Sequence, residues 1–165
     1  MLKMRVFLLV LCISLFPIVA FAQEPAAEGG DLWICPGAET ALYSFSTVAC
    51  GGSLAIAYGK GTSIGFKAAY FYDIEGDVDT LELSFLLRFY FMGGGAGPFI
   101  QLTGGPALFF KRDDGAAFPA DWGMISGGLN LGWRFLMGKT LFIEPSIRAG
   151  YPYVAGVSLA TGARF

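Results

Sequence analysis

From Thr80 to Met92 the sequence alternates without interruption. Leu81, Leu83, Phe85, Leu87, Phe89 and Phe91 fill one set of positions, and Thr80, Glu82, Ser84, Leu86, Arg88 and Tyr90 fill the other. A helix would scatter the first set around its circumference. A strand collects it on one face, because successive side chains of a strand point to opposite sides. Leu141, Ile143, Pro145, Ile147 and Ala149 alternate in the same way with Phe142, Glu144, Ser146 and Arg148. So do Ile64, Phe66, Ala68, Tyr70 and Tyr72 with Ser63, Gly65, Lys67 and Ala69, and Leu129, Leu131, Trp133 and Phe135 with Gly128, Asn130, Gly132 and Arg134. Segments near residues 53–59, 62–72, 79–92, 98–111, 122–136, 141–150 and 153–165 therefore read as seven strands.

The connections carry a second rhythm. Gly59-Lys60-Gly61, Gly93 to Gly97 and Gly138-Lys139 are short, while Asp73 to Val78 and Lys111 to Asp121 are longer. Short turns at one end and longer loops at the other are the pattern of a bacterial outer-membrane barrel, which has an even number of strands. One more strand is then expected before residue 53, over Thr40 to Val48. The expected fold is all-β, an eight-stranded antiparallel up-and-down transmembrane β-barrel over residues 40–165.

Alternation alone does not say which set faces outward, because a soluble barrel has the same period with its apolar set inside. The other set decides. A water-facing surface carries about 25–35% charged residues. Here the polar set of the last strand is Val154, Gly156, Ser158, Ala160, Gly162 and Arg164, and near residue 53 it is Ser53, Ala55, Ala57 and Gly59. Such small residues suit the lumen of an eight-stranded barrel, which side chains nearly fill. Aromatics including Phe89, Phe91, Phe109, Phe110, Trp122, Trp133, Phe135, Tyr151, Tyr153 and Phe165 gather toward strand ends, where a barrel places its interfacial girdles. The apolar set is expected to meet lipid.

Residues 1–22 have the plan of a secretory signal peptide: Lys3 and Arg5, an apolar run from Val6 to Leu15, and Ala20-Phe21-Ala22 before the expected cleavage. Residues 23–39 read as a periplasmic lead or partial plug. Cys35 and Cys50 either join in a disulfide, which an exported protein permits, or remain free thiols. After the leader no run of 18 apolar residues occurs, so no helical span is expected. The chain contains no His, which excludes imidazole acid–base chemistry and His metal ligation. No enzyme activity, catalytic residue, metal or cofactor is expected. Without a basic stripe, nucleic acid is not an expected partner.

The segment Tyr153 to Phe165, alternating and closing on an aromatic, resembles the C-terminal signal read by the barrel-assembly machinery. Along most of the chain after the leader, the pattern resembles the small OmpW/OmpX-like barrel proteins, as does Gly97-Pro98-Phe99-Ile100-Gln101 followed by Gly104-Gly105. The resemblance implies a porin-like cell-envelope barrel in the outer membrane of a diderm bacterium, and passage of small hydrophobic molecules. Membrane lipids and the assembly machinery are the expected partners, and the barrel is expected to be a monomer.

The inward set carries Lys67, Glu82, Arg88, Arg134, Glu144, Arg148 and Arg164, five basic and two acidic groups, together with Gln101 and Asn130. Turn lengths place Arg134 opposite Glu144 and Arg88 opposite Gln101. These groups either fill the lumen as a salt-bridge network, as buried charge requires, or line a narrow conduit with a basic bias that favours anions or polar solutes. As a transport protein the barrel would pass small solutes through its lumen. As a structural or interaction barrel it would stay plugged and use its external loops for lipid or host contacts. Asp73, Glu75, Asp77 and Asp79 do not follow the order of an EF-hand calcium loop. They read, with Asp113 and Asp114, as solvated external-loop acids. External loops near 49–52 and 150–152 are expected to be very short.

Overall fold

The computed structural model describes residues 30–43, 47–74, 77–92, 94–111 and 122–165. The leader at 1–22, residues 23–29 of the expected lead, and the loop acids Glu75, Asp113 and Asp114 lie outside the described residues. The alternating segments form β1 (Leu32–Tyr43), β2 (Thr47–Gly59), β3 (Thr62–Asp73), β4 (Val78–Tyr90), β5 (Gly97–Lys111), β6 (Trp122–Met137), β7 (Leu141–Tyr151) and β8 (Tyr153–Arg164). Each pairs antiparallel with its chain neighbour, and β1 pairs with β8, so the sheet closes into an up-and-down barrel. Reciprocal backbone bonds between Leu32 and Phe165, 3.1 and 2.8 Å, seal that closure at the tight-turn end. Closure satisfies every edge, the condition a sheet must meet in hydrocarbon.

The extra strand before residue 53 exists, but it lies earlier than Thr40 to Val48. β1 begins at Leu32, so residues 32–39 are barrel wall and not lead or plug. Pro36 and Gly37 hide the alternation there. With no N–H to donate, Pro36 takes an outward position among Leu32, Ile34, Ala38, Thr40 and Leu42, and the β1–β8 ladder skips from Ile34 to Gly37. Residues 49–52, expected as a short loop, belong to β2, which is paired along its length with β1.

Two further prolines interrupt ladders without shifting them. The β4–β5 pairing skips the steps around Pro106 and the β6–β7 pairing those around Pro145, yet the register on both sides of each gap is the same. Gly94 and Gly95 both adopt positive φ in the turn that joins β4 to β5, the conformation that a tight hairpin turn favours.

The barrel is apolar on the outside. Phe66 is 70% exposed and Ile125 84%, with Leu54, Ile56, Phe85, Leu131, Ile147 and Leu159 also exposed on successive strands. The inward set is buried: Trp33, Phe71, Leu86 and Phe142 have no accessible surface. Together the closed wall and the apolar exterior make this a transmembrane β-barrel. Two of the aromatics read as girdle residues, Phe109 and Tyr153, are instead buried inside: Phe109 falls on the inward parity of β5, and Tyr153, on the outward parity of β8, is turned in where the β1–β8 register shifts between Leu42 and Tyr43.

Candidate functional site

The functional candidate is the lumen. Nearer the tight-turn end, Arg88 from β4, Arg134 from β6 and Glu144 from β7 converge. Arg88 Nη1 donates to Glu144 Oε1 at 2.7 Å, and Arg134 Nε donates to the same oxygen. Arg88 also donates from Nε and Nη2 to Gln101 Oε1, 2.9 and 2.6 Å, and from Nη1 to the Tyr90 hydroxyl oxygen at 2.9 Å. The register places Arg88 opposite Gln101, and the ion pair brings Arg134 to Glu144 across β6 and β7.

Aromatic rings sheathe this cluster. The Arg88 guanidinium lies 4.0 Å from the Phe99 ring centroid and 4.5 Å from that of Trp33, and the Arg134 guanidinium lies 3.7 Å from Phe142. Cation–π attraction is strongest where water is excluded. Glycine makes the room: a Cβ at Gly162 would meet Phe142 Cζ at 2.2 Å, and one at Gly132 would meet Phe99 Cζ at 2.5 Å. The small residues of the inward set thus have a steric purpose.

Nearer the loop end lies a second cluster. Lys67 from β3 pairs with Glu39 from β1, and Arg148 from β7 reaches Glu39 at 3.4 Å. Arg148 also grips Glu82 with two bonds of 3.1 and 3.2 Å. Phe71 and Tyr153, with ring centroids 4.4 Å apart, pack beyond it. At the tight-turn rim Arg164 meets Asp31 at 3.5 Å and donates to the Lys139 and Gly94 carbonyls, tying two turns together.

Between the clusters remains a chamber of about 30 Å³, room for one or two water-sized molecules. Asn130 lines it together with Lys67, Gln101, Ser146 and Ser158. Among the described residues no three of His, Cys, Asp and Glu converge as metal ligands would.

Two acids of the lumen, Glu39 and Asp31, lie before the expected start of the wall at Thr40. Their signal is present in the alternation of Trp33, Cys35, Gly37, Glu39 and Ala41 with their neighbours. They alter the charge account. The ion pairs hold five basic and four acidic groups, so the expected basic bias is mostly cancelled among them.

Other expectations also change. Cys35 and Cys50 are free thiols. Cys35 points into the lumen and donates to Glu144 Oε2 at 3.6 Å, while Cys50 sits on the outward parity of β2 beside Thr40, so the two occupy opposite faces of the wall and cannot bridge. Asp79 is no solvated loop acid: it lies within β4, buried, and accepts a 2.5 Å bond from the Tyr70 hydroxyl. Asp73 ends β3, and Asp77 stands exposed just before β4.

No family model matches the chain, and no curated protein does. Solved structures with the same architecture include the N-terminal β-barrel domain of Pseudomonas aeruginosa OprF, with TM-score 0.56 and 17% identity, covering 82% of this chain and 99% of that one. Neisserial surface protein A (NspA) matches with TM-score 0.60 and 13% identity over 85% of this chain and 98% of its own. The outer membrane protein OprG from Pseudomonas aeruginosa matches with TM-score 0.57 and 14% identity over 83% and 96%. At these identities the likeness is one of fold, and the chain has the eight-stranded architecture that these outer-membrane barrels share.

Proposed function

We propose that this chain is a monomeric outer-membrane barrel of a diderm bacterium, exported by its leader, inserted by the barrel-assembly machinery, and plugged at rest. Its role is that of a structural and interaction barrel, holding its external loops against membrane lipids or host molecules. One observation carries this reading: two buried ion clusters, each backed by aromatic rings, cross the lumen, with a chamber of about 30 Å³ between them. The C-terminal alternation ending at Phe165 supports insertion by the assembly machinery, and the apolar exterior supports contact with lipid.

A second reading keeps the OmpW/OmpX-like resemblance of the Gly97 to Gly105 run, with passage of small solutes or hydrophobic molecules. The central chamber favours it, as a ready-made waypoint. For passage through the lumen, Arg88 would have to part from Glu144 and Arg148 from Glu82. Planar-bilayer recording of the purified, refolded protein tests the choice. A plugged barrel is silent, and Glu144→Gln introduces brief openings. Steady conductance in the parent would overturn the plug and support the conduit.

A further inference from the structure

The two ion clusters differ in charge balance. Arg88 and Arg134 share the single carboxylate of Glu144, whereas Lys67 and Arg148 are matched by Glu39 and Glu82, and Arg164 by Asp31. Among the described ion pairs one positive charge is therefore left over, in an interior where an uncompensated charge is costly.

Unused donors line the chamber between the clusters, beside the carboxylates of Glu39 and Glu144. Lys67 gives one of its three N–H groups to Glu39. Arg88 draws the Gln101 carbonyl oxygen to itself through two bonds, which turns the amide N–H groups of Gln101 away from the guanidinium. No acceptor meets those groups among the described residues, and the Asn130 amide has no hydrogen-bond partner there either. Both amides are more than nine-tenths buried, Gln101 at 4% exposure and Asn130 at 6%, and both line the chamber. In the same half of the lumen Arg134 Nη2 and Trp33 Nε1 are buried without an acceptor. The nearby carboxylates, by contrast, are engaged: Glu144 accepts from two arginines and Cys35, and Glu39 from Lys67 and Arg148.

We propose that the chamber binds one monovalent anion of halide size, held by the Lys67 ammonium and the Gln101 and Asn130 amides, and offsetting the surplus charge of the Arg88, Arg134 and Glu144 cluster. A cation would meet the like charge of Lys67 and Arg88 beside it. The ion would be enclosed as the barrel closes, so it acts as a part of the fold rather than as cargo.

The test refolds the full chain in detergent with sodium chloride, sodium bromide or sodium gluconate at equal ionic strength. Chloride and bromide are expected to raise the unfolding temperature saturably, as ligands that bind only the folded state do, and gluconate to give no such rise. Crystals grown in bromide should place one anomalous peak in the chamber. Asn130→Leu removes two donors from the wall, and Arg134→Met removes the surplus charge from a residue that does not line the chamber. Both variants should fold, as judged by heat-modifiable electrophoretic mobility, and both should lose the halide-specific rise. Equal stabilisation by all three anions, a chamber without bromide, or a full halide response in Arg134→Met would each overturn the site. A silent barrel without a halide would remove the anion and leave the plug standing; a halide in a conducting barrel would do the reverse.

Discussion

The two ion clusters of the lumen use the same residue types but differ in balance and in wrapping. The one nearer the tight turns sets two guanidiniums against one carboxylate and surrounds them with Trp33, Tyr90, Phe99 and Phe142. The one nearer the loops sets Lys67 and Arg148 against Glu39 and Glu82, with Phe71 and Tyr153 at 5.4 and 5.7 Å from the Arg148 guanidinium. Ring faces in the first cluster take up part of the work that a second carboxylate does in the other. The same substitution should therefore have unlike consequences in the two places.

The largest effect is expected at Glu144. Glu144→Gln leaves two buried guanidiniums facing one another with no carboxylate, and removing one partner of a buried pair costs about 3–5 kcal/mol. Denaturant unfolding in micelles measures it. Arg148→Met should rank next, at about 3 kcal/mol by the same reasoning, because it leaves Glu39 and Glu82 with Lys67 alone. If both variants unfold with the parent, neither cluster contributes as described.

Glu82→Gln sharpens the contrast. Arg148 keeps Glu39, so the loss is that of charge-assisted hydrogen bonds, about 1.5–3 kcal/mol, and should stay below that of Glu144→Gln. Arg134→Met, in turn, should stay below Arg148→Met. Removing the surplus cation leaves Arg88 and Glu144 as a balanced pair, and an apolar side chain of similar volume costs less than about 1.5 kcal/mol at such a site. Equal costs for the two arginines would abolish the asymmetry. A double-mutant cycle on Arg134→Met and Glu144→Gln should then give a coupling of about 0.5–3 kcal/mol, the range for residues in contact.

This asymmetry was only partly legible in the sequence. Seven strands, the lipid-facing set and the facing of Arg88 to Gln101 follow from period and turn length, which are local properties. The start of β1 did not, because Pro36-Gly37 reads as a break when no neighbouring strand is there to supply the ladder. With that start went Glu39, and with Glu39 the balance of the second cluster. The inward turn of Phe109 is visible in its parity but is outweighed by its place near a strand end, whereas that of Tyr153 follows from a register shift between β1 and β8 that no alternation along the chain records. The sharing of Glu144 between two arginines from β4 and β6 depends on how far long side chains reach across a closed lumen, which no spacing along the chain records.

The smallest expected effect concerns Cys35, which adds a neutral donor to the first cluster. Its thiol meets Glu144 Oε2 at 3.6 Å, and a thiol is a weak donor. Glu144 keeps both arginines when the sulfur is removed, so Cys35→Ala should cost less than about 1 kcal/mol, well below any charge substitution around it. The same variant separates a free thiol from a bridged one. A disulfide closing the segment from Cys35 to Cys50 would stabilise by roughly 3 kcal/mol, and Cys35→Ala would forfeit all of it. Thermal unfolding of the parent should be unchanged by a reductant, and Cys35→Ala and Cys50→Ala should each match the parent to within that 1 kcal/mol. A reductant-dependent drop in the parent, absent from both variants, would mean that the two thiols meet across the wall and that the inward parity of Glu39 and Cys35 on β1 is wrong.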